Sequence, residues 1–68
     1  MMKVADWMTI GAQCIYRHKA PFSLPDEDFQ AEILGFTTSG RVRIRAYDHP
    51  NKEWYKTTVS PASLRRSA

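Results

Sequence analysis

The sequence predicts an all-β chain: one small barrel of about five antiparallel strands, with one short helical turn before the last strand. Three observations carry this. Apolar stretches of strand length recur between turn-forming residues, none of them holds a helical period, and one stretch alternates strictly between apolar and charged side chains. With 68 residues there is room for one domain and one core. The expected division is an N-terminal extension over residues 1–8, a barrel over 9–66 and a tail at 67–68.

The first strand is expected over residues 10–17, opening at Ile10-Gly11. Residues 18–28 hold Pro21, Pro25 and the acidic run Asp26-Glu27-Asp28, which reads as a long polar loop. The second strand follows over residues 29–36. Thr37-Thr38-Ser39-Gly40 is a hairpin turn in which Gly40 takes a positive φ. In residues 41–47 the alternation is complete: Val42, Ile44 and Ala46 face a core while Arg41, Arg43 and Arg45 face water. Asp48-His49-Pro50-Asn51 makes a second turn and residues 52–59 return as the fourth strand. A short turn there pairs Tyr47 with Trp54, Arg45 with Lys56 and Arg43 with Thr58. Ser60-Pro61-Ala62-Ser63-Leu64 has a Ser cap followed by proline, the chemistry of one tight helical turn, with Leu64 folded beneath it. Arg65-Arg66 adds a short closing strand.

The core expected from this pattern is Ile10, Ala12, Cys14, Tyr16, Ala31, Ile33, Val42, Ile44, Ala46, Tyr55, Val59 and Leu64. Leu34 and Phe36 fall on the opposite face of the second strand. The N-terminal segment, with Met2, Trp7 and Met8, is expected to fold back and cover them, which favours a monomer over a homodimer joined through that face.

Ile10-Gly11, residues 30–36, Gly40-Arg41-Val42-Arg43-Ile44 and residues 59–64 together resemble Tudor-type and related SH3-like modules. The resemblance covers about residues 9–66, and the order of the pieces carries it. It implies an SH3-like barrel that binds rather than catalyses. There is also a distant similarity to the plasmid-encoded type II dihydrofolate reductases, tetramers that bind NADPH and dihydrofolate in a central pore. Their Val-Gln-Ile-Tyr run falls at Thr57-Thr58-Val59-Ser60, where both Gln and Tyr are missing, so no catalytic residue is carried across.

Ten Lys and Arg against seven Asp and Glu give a formal charge of +3. Arg41, Arg43, Arg45, Lys52, Lys56, Arg65 and Arg66 all follow Gly40, so the second half carries the positive field. Cys14 is the only cysteine, which excludes an intrachain disulfide and suits a reducing, cytoplasmic setting. No apolar run is long enough to cross a bilayer as a helix. Cys14, His18 and His49 lack zinc-like spacing, and no phosphate-cradling glycine loop occurs, so neither a metal, a cofactor nor enzymatic activity is expected.

Two binding surfaces are expected instead. Arg41, Arg43, Arg45 and Lys56, flanked by Tyr47 and Trp54, combine phosphate-binding cations with stacking rings, the requirements of single-stranded nucleic acid. Like charges opposed on one sheet face cost stability, so such a face calls for a ligand. The second surface, for a protein or peptide, would gather Phe22, Phe29, Tyr47 and Trp54 around a cationic group, with the acids at residues 26–28 nearby.

Overall fold

A computed structural model describes residues 5–19 and 26–67. The protein is all-β: β1 (Gln13–His18), β2 (Glu27–Phe36), β3 (Val42–Asp48), β4 (Glu53–Val59) and β5 (Leu64–Arg66), with a single 3-10 turn, Pro61–Ser63, before the last strand. All pairings are antiparallel, in one five-stranded sheet of order β4-β3-β2-β1-β5.

Ile33, Val42, Ile44 and Ala46 lie on one face of this single sheet and are fully sealed from water. Among the described residues outside the sheet, Met8 joins this core and Trp7 and Ala12 pack against it. Cys14, Phe29, Ala31, Val59 and Leu64 complete that core together with Met8. Ala12, Tyr16 and Tyr55 pack against it half-buried.

The two hairpins form as their turn chemistry demands. Gly40 has φ 87°, and Thr37 closes the first turn by accepting the Arg41 amide on Oγ1 at 3.0 Å. Asp48 closes the second, taking Asn51 Nδ2 at 2.8 Å, while Lys52 enters the left-handed region at φ 56°. The β3–β4 register is the expected one, with Tyr47 opposite Trp54, Arg45 opposite Lys56 and Arg43 opposite Thr58. Ser60 caps the 3-10 turn, its Oγ accepting the Ala62 amide at 3.3 Å, and Pro61 and Leu64 are buried.

Four expectations are corrected. The first strand starts at Gln13, not Ile10, because Gly11 at φ 89° bends the chain and the Ala12 amide bonds back to Thr9 O at 2.9 Å. Ile10 is thereby thrown out to 72% exposure, and Met8 takes a core place instead. Second, the acidic loop is shorter than expected. Glu27 and Asp28 belong to β2, opposite His18 and Arg17. Phe29 correspondingly joins the core.

Third, Leu34 and Phe36 do not share a face. The β2–β3 register shifts between Ile33 and Gly35, and beyond that bulge Phe36 stands opposite fully buried Val42. Directly opposed residues project to the same side, so one extra residue returns Phe36 to the inner side at the strand's end. Fourth, Trp7 and Met8 do not cover these two, and Met2 lies outside the described residues. Trp7 and Met8 line a depression with Pro61, Ala62 and Leu64, leaving Leu34 and Phe36 38% and 37% exposed.

Candidate basic-aromatic face

The outer side of the sheet is ordered in rows by the registers. One row runs Gln13, Glu32, Arg45 and Lys56 across β1 to β4. Beside it Arg43 stands opposite Thr58 and Gly35, and on the other side Tyr47 stands opposite Trp54. The β3–β4 hairpin therefore brings Arg43, Arg45, Lys56, Tyr47 and Trp54 onto one surface, since alternate residues of paired strands share a face.

Within that surface the cations are not equivalent. Arg45 Nη2 pairs with Glu32 Oε1 at 3.1 Å, and its guanidinium carbon lies 4.3 Å from the centre of the Trp54 ring. It is half-buried, and its Nε has no hydrogen-bond partner. The Trp54 ring is held on a second side by Tyr47, centroids 5.1 Å apart and tilted by 53°. Trp54 still keeps 45% of its surface exposed. Arg41 donates from Nη2 to the Thr58 carbonyl at 3.2 Å, which ties it across the hairpin mouth. Arg43 and Lys56 make no ion pair or hydrogen bond with any described residue; with Leu34, Ile44, Thr57 and Thr58 they line a shallow groove of 190 Å³.

Part of the like-charge cost inferred from the sequence is thus met within the fold: Glu32 offsets Arg45. That partner lies on β2, and only the β2–β3 register, bulge included, reveals it. Farther along the outer side, Asp28 bridges two cations far apart in the sequence, Arg17 at 3.3 Å and Arg65 at 2.5 Å. Exposed pairs of this kind contribute about 0–1 kcal/mol each, so they organise the surface more than they stabilise it.

The aromatic set expected to bind a peptide is not brought together. Phe29 is on the inner face and only 4% exposed, whereas Tyr47 and Trp54 are on the outer face. Phe22 lies outside the described residues. Phe29 instead anchors a different cluster. His18 stacks on it at 5.1 Å with planes 9° apart, His49 meets it edge-on at 5.2 Å, and Tyr55 lies at 6.5 Å. Tyr16 joins through His18 at 6.1 Å. The signal for this cluster was the period of two in β1, which puts Tyr16 and His18 in phase with buried Cys14.

Burial raises the Tyr55 phenol above its ordinary range, with Tyr16 and Asp48 adding to the effect, and burial alone raises the Cys14 thiol. A thiol held protonated and 2% exposed is a core side chain rather than a nucleophile. Among the described residues no three His, Cys, Asp or Glu side chains cluster as metal ligands, and no helix is long and apolar enough to cross a membrane. No protein-family profile, curated protein or solved structure matches the chain.

Proposed function

We propose that this chain is a small non-enzymatic module that binds single-stranded nucleic acid on the outer face of β3 and β4. The observation that carries the reading is an exposed indole, Trp54, braced by Tyr47 and Arg45 and bordered by the unpaired cations Arg43 and Lys56. A base needs an accessible ring face held rigidly, and its phosphates need cations not already neutralised; this face offers both. Arg45 braces the ring, while Arg43 and Lys56 contact phosphate. Arg41, tied to Thr58, borders the site.

An SH3-like barrel of the Tudor-related kind is the architecture we assign to it. The strand order and the Ser60-capped turn before β5 support that assignment. A buried, unpaired Cys14 suits work in a reducing cytoplasm. Capture of a protein or peptide in an aromatic cage is the weaker reading, since Phe29 and Trp54 lie on opposite sides of the sheet.

The test is a fluorescence titration on a Trp7→Phe background, so that Trp54 reports alone, with a short mixed-sequence single strand and the matching duplex. Trp54 emission is expected to be quenched by the single strand, with affinity falling as salt rises. Arg43→Ala should lower the slope of log affinity against log salt by about 0.7, the loss of one phosphate contact to a single strand. An unchanged slope, or binding that ignores salt, sinks the reading.

A further inference from the structure

The two edges of the sheet are built differently. At one edge β5 is three residues long and two of them are the exposed arginines Arg65 and Arg66. Shortness and charge are the usual protections of an edge against pairing with another chain. At the other edge β4 is seven residues long, Glu53-Trp54-Tyr55-Lys56-Thr57-Thr58-Val59, rich in aromatic and β-branched types and free of proline. Its ladder to β3 runs through seven successive pairs with no bulge to twist it away. No described strand pairs with its outer side. Lys56 is the only cation along it.

We infer that two copies of the chain join through their β4 edges, antiparallel about a two-fold axis at Tyr55, and that the partner's Lys56 thereby completes the surroundings of each Trp54.

The side chains select both the partner and the register. An axis normal to the sheet keeps each residue on the same face in both copies, so only residues of equal parity can stand opposite each other. An axis at Lys56 would oppose that ammonium to its own copy. One at Trp54 would set Lys52 against the partner's Lys56 twice. Like charges directly opposed are destabilising in both cases. An axis at Tyr55 sets Trp54 against the partner's Lys56, twice by symmetry, and Glu53 against the partner's Thr57. Both lysines then lie beside an indole, an attractive cation–π arrangement. β4 is thus self-complementary in one register and repulsive in the two beside it. Pairing over residues 53–57 also stops short of Thr58, whose carbonyl Arg41 already holds.

The alternative dimer face expected at Leu34 and Phe36 does not form as one surface, because the bulge sets the two residues on different sides of β2. This pairing needs no ligand and stands apart from the nucleic-acid reading. Its consequence for that site is geometric: diagonal neighbours across a strand pair are roughly 7–8 Å apart, so the two Trp54 platforms become one continuous surface.

Light scattering on the full chain, from micromolar to millimolar and without oligonucleotide, tests the pairing. The expected mass rises to that of two chains. Amide exchange should slow along β4 with concentration and stay unchanged along β5. Lys56→Glu faces Arg45 within its own chain and so keeps the fold, but it sets a carboxylate against the partner's indole. It should weaken the dimer about tenfold or more, while Lys56→Arg preserves it. A single-chain mass at every concentration overturns the inference. So does an assembly of three or more chains, which marks head-to-tail pairing of β4 on β5, or a dimer that Lys56→Glu leaves equally tight.

Discussion

The two faces of β3 come from one alternating run, yet they are completed in different ways. On the inner face Val42, Ile44 and Ala46 are fully buried, and every neighbour they need is supplied by the same chain. On the outer face only Arg45 is completed, by Glu32 and Trp54, while Arg43 two residues away has no described partner. The inner face is explained by stability alone. The outer face is half explained, and the unexplained half is where binding is expected.

Removing inner-face volume should therefore have the largest effect of any change in the molecule. Ile44→Ala takes a fully buried side chain from the middle of the core. Such truncations cost about 2–5 kcal/mol, a large share of what a domain this small commands. Denaturant unfolding should show a variant that is mostly unfolded or close to it at room temperature. Trp54→Ala, by contrast, should move stability by less than about 1.5 kcal/mol, since it loses a half-exposed ring and one cation–π contact. If the two variants are equally destabilised, the contrast between the faces is false.

The same contrast explains what could be read in advance. Alternation and turn chemistry are local, so β3, its register with β4, the Gly40 turn and the Ser60-Pro61 turn all follow from residues near one another in the chain. Non-local events were hidden. The bulge at Ile33–Gly35 leaves no mark in the hydrophobic period except a glycine, and it alone reverses the side on which Phe36 lies. The Glu32–Arg45 pair depends on that register and was hidden with it. Ile10 was misplaced because an apolar residue beside Gly11 reads equally as strand or turn, and only the φ of Gly11 decides. On the outer face, the shared side of Arg43, Arg45, Lys56, Tyr47 and Trp54 was legible and the inequality of the cations was not.

Glu32→Gln sharpens the comparison at intermediate size. Glu32 is the anion that neutralises Arg45 in the middle of the basic row. The pair is partly solvated, so its loss should cost roughly 0.2–1 kcal/mol in unfolding measurements. On the proposed function it should raise affinity for a short single strand a few-fold at low salt, because one anion leaves the binding field. A variant that binds more weakly would mean that positioning Arg45 over Trp54 matters more than net charge, and the outer face would then be as built as the inner one.

The smallest expected effect tests whether the inner face stays sealed, and it appears only in alkali. Burial raises the Cys14 thiol above its ordinary value of 9.0, and it likewise raises the Tyr55 phenol above 10.0. Each group is neutral when protonated and charged when not. Above pH 9.0 the unfolded chain releases the Cys14 proton while the folded chain still holds it. The folded state then binds more protons than the unfolded one, so stability must fall as pH rises. The contribution is whole below the unfolded value and is lost as pH climbs toward the raised folded value; Tyr55 repeats the pattern higher up. The loss from Cys14 should be read as a falling denaturant midpoint. Cys14→Ala is less stable at neutral pH, because it loses a buried sulfur, but its midpoint should decline less steeply between pH 9.0 and the onset of tyrosine ionisation. Equal slopes in the two proteins would mean that Cys14 meets water in the folded state, and that the inner face is open where β1 crosses it.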